Sequence, residues 1–240
     1  MKAETYERID WSEEMLQKED IDFIKDTLSF WKELTQTQRS ILEEYILKKQ
    51  FVTGESMHSN SEHCSGLFLI RSGQVRAYIV SESGKEITLY RLTEGEICIF
   101  SASCIMKNIA FDILIEVEKD TVAYLIPTLI FKRLSEESLP VQTFSNNLMA
   151  ARFSEAMWVM EQALFTSFDK RLAAFLVEQV ELNNSNILGI THEKIANHLG
   201  TAREVVTRML KYFQNDGMVV ISRGSIEITN LKKLELLVNG

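Results

Sequence analysis

Arg203, Glu204, Thr207, Arg208 and Lys211 are spaced by one, three, one and three residues, which places them on one face of a helix. An arginine side chain offers paired donors that match N7 and O6 of guanine, and a glutamate accepts from N4 of cytosine. Arg203, Glu204 and Arg208 therefore suit a helix that enters the DNA major groove N-terminus first, with Thr207 and Lys211 turned to phosphate or solvent. Two other uses stay open for the same atoms. Thr201-Ala-Arg-Glu204 fits the capping box S/T-x-x-E, and Arg208 stands one helical turn from Glu204, within reach of an ion pair.

The surrounding segments supply the elements that would position this face. Thr191 can cap a helix through HEKIANHL, with Ile195, Ala196 and Leu199 inward, and Gly200 provides a tight turn. A second helix from Thr201 buries Val205 or Val206, Met209, Leu210 and Phe213 and stops at Gly217. MVVIS and SIEIT then flank Arg223-Gly224, two short strands that make the wing of a winged helix. Thr191, His192, Thr201 and Arg223 complete the expected DNA-contacting set.

A net charge of −8 looks unsuited to nucleic acid until it is divided along the chain. Residues 167–240 hold nine Lys/Arg against eight Asp/Glu, whereas residues 1–166 hold 17 against 26. The acid lies away from the expected DNA-contacting end and does not oppose phosphate there. A length of 240 residues suits two domains, and 45% hydrophobic with 25% charged residues is ordinary globular composition. The opening MKAETYERIDWSEEM carries no secretory pattern, and no apolar run is long enough to span a bilayer. A cytosolic protein with no membrane partner is expected.

Residues 1–48 read as mostly helical, with Thr35 as a plausible N-cap. Between residues 50 and 126 the runs GLFLI, VRAYIV, ITLYRL, DILIEV and TVAYLI alternate with turn signals at Ser72-Gly73, Ser83-Gly84 and Glu94–Glu96. Short β-rich runs at this spacing predict an antiparallel barrel or sandwich. After Pro140 a helix without Gly or Pro runs to about Leu164, and Met149, Phe153, Met157, Met160 and Leu164 form an a/d-like seam. That seam either packs on its own domain or, the favoured expectation, pairs with its copy in a second chain. A further helix is expected over Asp169–Leu182.

Cys98 and Cys104 stand six residues apart in GEICIFSASCIM, with Ser101 and Ser103 between them. The thiols can be small core groups or, if accessible, redox sensors. The serines can bond a small ligand or local backbone. His58, His63 and Cys64 lack a fourth metal ligand at diagnostic spacing, so no metal site is expected.

LGTAREVVTRMLKYFQNDGMV resembles the helix-turn-helix of the Crp/Fnr family, and SGQVRAY, SESGKEI and TEGE resemble the glycine landmarks of its cyclic-nucleotide-binding-like barrel. The resemblance implies an α+β fold: a sensor over residues 1–138 with an antiparallel jelly-roll β-barrel, a dimerisation helix over 139–166, and a winged helix-turn-helix over 167–240. It implies a homodimer on a palindromic operator with a TGTGA-like half-site read by Arg203, Glu204 and Arg208. RNA polymerase is a partner if the protein activates. It also places an effector pocket around Glu96, Cys98, Ser101, Ser103 and Cys104. In cyclic-nucleotide-binding members a Gly-Glu pair holds the ribose, matched here by Gly95-Glu96, and an Arg-Ser/Thr pair neutralises the phosphate. The latter falls near KNIAFD, where Phe111-Asp112 supplies a carboxylate instead, so cyclic AMP is not the expected effector. Nor is an iron–sulfur cluster, because residues 1–63 contain no cysteine. The effector stays unknown. A cupin-type metalloenzyme is disfavoured by the absence of histidine between Gly66 and Ile126, and a nucleotide-binding module that ignores DNA by the winged helix.

Overall fold

The computed structural model describes residues 16–57, 66–99 and 113–239. Their elements run in the order α1 (Lys18–Thr27), α2 (Gln36–Tyr45), β1 (Leu47–Phe51), β2 (Gly66–Val80), β3 (Glu86–Leu92), β4 (Ile97–Cys98) and β5 (Leu114–Pro127). There follow α3 (Thr128–Glu137), α4 (Leu139–Phe165), α5 (Phe168–Asn183), β6 (Ile187–Leu188), α6 (His192–His198), α7 (Arg203–Asn215), β7 (Val219–Ser222), β8 (Ser225–Ile228) and α8 (Leu231–Asn239). Two compact units emerge. The first takes residues 16–57, 66–76, 91–99 and 114–150, and the second takes 77–90, 113 and 151–239.

The sheet of β1–β5 has the order β1-β5-β2-β3, with β4 paired to β2, and is antiparallel where β1 meets β5 and β4 meets β2. The sheet is curled and jelly-roll-like, as the resemblance implied, but among the described residues it does not close into a barrel. Its strands differ from expectation in two respects. Ser72-Gly73 does not reverse the chain: GLFLI and VRAYIV are one strand, β2, and Leu114–Val117 run on with TVAYLI as one strand, β5. Gly73 (φ +94°) bends β2 where the backbone of Asp120 and Thr121 lies against it, and a β-carbon there would strike the Thr121 Cα. Strand structure also begins earlier than expected, at Leu47, within the stretch read as helical.

Thr35 caps α2 as anticipated, its hydroxyl accepting from the Gln38 N–H while Gln38 returns the bond to the Thr35 N–H. Ile24, Leu28, Trp31, Leu42, Tyr124, Ile126, Phe131 and Leu134 make the core of this unit. One buried carboxylate ties the helices to the sheet. Asp20 accepts from the Tyr124 hydroxyl at 2.6 Å and the Gln17 N–H at 2.8 Å, and pairs with Lys48 at 3.3 Å. Burial pushes the Asp20 carboxyl up, but these partners together hold it below the ordinary carboxylate value. Tyr124→Phe is expected to cost about 1.5–3 kcal/mol, the range for a bond to a charged group, read by urea unfolding. The contribution is complete above the ordinary carboxylate pKa and fades as pH falls through the lowered value, so the two proteins converge in acid. Equal unfolding midpoints at neutral pH would disprove the role.

The second unit is a helical head around Leu172, Phe175, Leu176, Ile195, Val206, Leu210, Phe213 and Leu234, closed by the sheet β6-β8-β7. No helix among the described residues is long and apolar enough to cross a membrane.

Candidate nucleic-acid interface

Thr191 caps α6, accepting from the Lys194 N–H at 3.2 Å, and Ile195 and Ala196 are buried below it. Gly200 (φ +64°) turns the chain, and the Thr201 N–H returns to the Ala196 carbonyl at 3.0 Å, closing the C-terminal end of α6. That bond overturns the expected capping box. The Thr201 N–H that Glu204 would accept is taken by the Ala196 carbonyl, α7 starts at Arg203, one residue later than a Thr201 cap requires, its N-cap is Ala202, and no side chain caps it. Among the described residues no ion pair joins Glu204 to Arg208 either. Neither alternative use of Glu204 is realised.

Helix α7 divides sharply by face. Val206, Leu210 and Phe213 are buried, whereas Arg203, Glu204, Arg208 and Lys211 are exposed. The exposed strip continues through Tyr212 and Asn215, which the sequence reading did not single out. Asn215 repeats the helical spacing from Lys211, and Tyr212 that from Arg208, so the signal was present.

Thr207 is half-buried rather than free on this face. Its hydroxyl donates to the Arg203 carbonyl at 2.9 Å and lies 2.9 Å from Nδ1 of His192. A hydroxyl carries one proton, already given to the carbonyl, so His192 donates from Nδ1 and its Nε2 holds the lone pair. Burial, with the positive charge of Arg203, lowers the His192 pKa, so the ring is neutral at neutral pH. Because protonation is disfavoured only in the folded head, this stabilisation is full above the ordinary histidine pKa of about 6.5 and is lost as pH falls through the lowered one. The wild-type melting temperature is therefore expected to fall more steeply than that of His192→Gln as pH drops below about 6.5. Parallel curves would refute this.

Beside α7 the strands β7 and β8 form the wing, turning at Arg223-Gly224 with Arg223 exposed. Ile190, Thr191, His192, Arg203, Ser222 and Ser225 line a cleft of about 370 Å³ between wing and helices.

The remaining sequence-predicted sites are placed unevenly. On α4, Phe153, Met157, Met160 and Leu164 are exposed, while Met149 packs against the core of the first unit. Trp158 and Phe165 join the exposed apolar set and were not anticipated. Glu96 closes the turn after β3, its carboxylate accepting from the Thr93 N–H at 2.7 Å and the Thr93 hydroxyl at 3.1 Å. Cys98 is wholly buried in β4. Ser101, Ser103, Cys104, the Lys107–Asp112 stretch, His58, His63 and Cys64 lie outside the described residues. Within the sheet, Gln74 and Arg91 both donate to Glu118, at 2.7 and 2.8 Å, and Arg76 pairs with Glu116. Burial of Gln74 and Arg76 was not legible, because alternating polar residues in a strand ordinarily mark its wet face.

Residues 48–138 match the cyclic nucleotide-binding domain and residues 170–237 the Crp-like helix-turn-helix domain. A solved Crp/Fnr-family protein from Eubacterium rectale is 46% identical, with a TM-score of 0.87 over 90% of this chain and 100% of the other. The regulatory protein HlyX of Actinobacillus pleuropneumoniae is 27% identical over 84% of each chain. The cyclic AMP receptor protein of Thermus thermophilus is 24% identical over 82% of this chain and 90% of its own. With a matched sensor domain, a matched reading head and this close structural relative, the chain belongs to the Crp/Fnr family of DNA-binding transcription regulators.

Proposed function

We propose that the chain works as a homodimer on double-stranded DNA carrying an inverted repeat, with Arg203, Glu204 and Arg208 reading a G/C-containing, TGTGA-like half-site. The observation that carries this reading is the division of α7: its apolar side is buried while that triad stands exposed and unclaimed by capping or mutual pairing. Thr191, Thr201, Lys211 and Arg223 serve as backbone contacts around it. Thr207 and His192 hold α7 to the start of α6 through their shared bond.

In this reading residues 1–138 are the sensor, 139–166 join the protomers, and 167–240 bind DNA. The exposed Phe153, Met157, Trp158, Met160 and Leu164 support the central assignment. The signal is a small-molecule or redox effector acting in the sensor, and in this reading it is not cyclic AMP. Glu96 is engaged by its own turn, and the resemblance aligns Phe111-Asp112, with no basic residue, to the phosphate-neutralising Arg-Ser/Thr pair of cyclic-nucleotide-binding members. Burial of Cys98 favours a packing role over redox sensing. The protein is no enzyme, works in the cytoplasm beside the DNA it reads, and meets RNA polymerase where it activates.

Selection of bound duplexes from a random-sequence pool tests this. The expected result is enrichment of an inverted repeat with G/C-containing half-sites, lost in Arg203→Ala. No enrichment, or the same preference from both proteins, would overturn it.

A further inference from the structure

Thr207 is the short side chain in a row of long ones. With successive residues about 100° apart around a helix, it falls about 40° from Arg203 and about 60° from Glu204, between the two on the face they share. It lines the same trough as Arg203, Glu204, Arg208 and Lys211. A helix seated in the major groove by that face presents Thr207 near the middle of the contact, as a low point among four side chains that reach further out.

What Thr207 offers there follows from where its oxygen is engaged. The hydroxyl donates its only proton to the Arg203 carbonyl at 2.9 Å and accepts from Nδ1 of His192 at 2.9 Å, both bonds running back into the head. With that proton spent, it has none to give to a phosphate oxygen, so the backbone contact expected from the sequence is not open to it. For the same reason it does not donate to N7 or O6 of guanine or to O4 of thymine. The other substituent on its β-carbon is a methyl, and the two bonds to the oxygen hold the χ1 rotamer that fixes where this methyl stands. Among the base edges in the major groove, the apolar group for a threonine methyl to meet is the 5-methyl of thymine, which stands out from the base into the groove.

We propose that Thr207 is a specificity-determining residue that reads one thymine in each half-site by methyl-to-methyl contact, an apolar determinant set among the hydrogen-bonding arginines and Glu204. The proposal rests on the reading of α7 as the helix that contacts base edges. It assigns Thr207 a selectivity for the 5-methyl group alone, blind to the hydrogen-bonding groups of the base.

The test uses the full chain as wild type, Thr207→Ser and Thr207→Val, with the duplex that the wild type enriches from a random-sequence pool. Each thymine of the half-site is replaced in turn, in both halves, by deoxyuridine, which keeps every hydrogen-bonding group and lacks only the methyl. Fluorescence anisotropy at fixed salt then gives the ratio of the two Kd values for each protein. One thymine is expected to stand out, its replacement weakening wild-type binding roughly fourfold per half-site and about fifteenfold for the symmetrical duplex, the effect of one buried methyl counted once and twice. Thr207→Ser keeps the hydroxyl and drops the methyl, so it should bind the two duplexes alike. Thr207→Val keeps a methyl in the stiff rotamer of a helical β-branched residue and should still prefer thymine. Because each ratio is taken within one protein, a general loss of affinity in a variant does not enter it. A wild type indifferent to deoxyuridine at every position would overturn the proposal, as would a selected half-site without thymine. A preference kept in full by Thr207→Ser would overturn it too, by giving the methyl to another residue. If no duplex is enriched at all, the base-reading role of α7 is what fails.

Discussion

Arg203→Ala and Arg208→Ala are each expected to weaken binding to the selected duplex by about 1–3 kcal/mol, five- to 150-fold in Kd at fixed salt. The loss should appear for the cognate duplex and be much smaller for a scrambled one, because a base contact carries sequence information and a phosphate contact does not. Lys211→Ala supplies the contrast, weakening both duplexes alike and flattening the salt dependence. Neither arginine is needed for the fold. Both are exposed, and the apolar side of α7 is held by Val206, Leu210 and Phe213, so unfolding midpoints should stay near wild type. Retained cognate affinity in both variants would remove the assignment.

Phe153→Asp is expected to have the other large effect, on self-association. Phe153 is 66% exposed, Trp158 59% and Leu164 66%, an unusual concentration of exposed large apolar side chains for one helix, Phe153 and Leu164 on one face and Trp158 away from it. Covered by a second copy, an aromatic anchor of this kind is worth about 2 kcal/mol or more, and a carboxylate placed there is buried without a partner. The dimer dissociation constant should therefore rise by at least about thirtyfold in sedimentation experiments. Affinity for an inverted repeat should fall with it, since two linked heads gain from binding one duplex together. A variant that sediments as the wild type does would show that the seam lies elsewhere.

The parts of this molecule legible in the sequence are those where local signals agree with each other. Helix α7, Gly200 and the wing were readable because apolar period, turn glycines and strand propensity coincide between Thr191 and Thr229. Thr35 was readable because its capping partner Gln38 lies three residues away. The failures have a common physical source, competition from elsewhere in the chain. Thr201 satisfies the capping pattern, but its N–H is claimed by Ala196, so α7 begins without it. Ser72-Gly73 looks like a turn, yet Gly73 serves close approach by β5. Helix α3 went unread because it follows Pro127 without a break and shows only Phe131 and Leu134 as buried anchors. Helix α8 did carry a signal, Asn230 capping the Lys233 N–H ahead of a leucine-rich run. The bridge between Ile87 of β3 and Leu199 had none, since an edge-strand bridge across 112 residues leaves no local trace.

The central claim is that α7 reads base sequence on behalf of a dimer. Its most direct test is the ratio of affinities for the selected inverted-repeat duplex and a scrambled duplex of equal length, measured near physiological salt with stoichiometry. The account predicts a ratio of about 10³ or more, with two chains per cognate duplex. A ratio near one, with binding that follows only salt concentration, would contradict it.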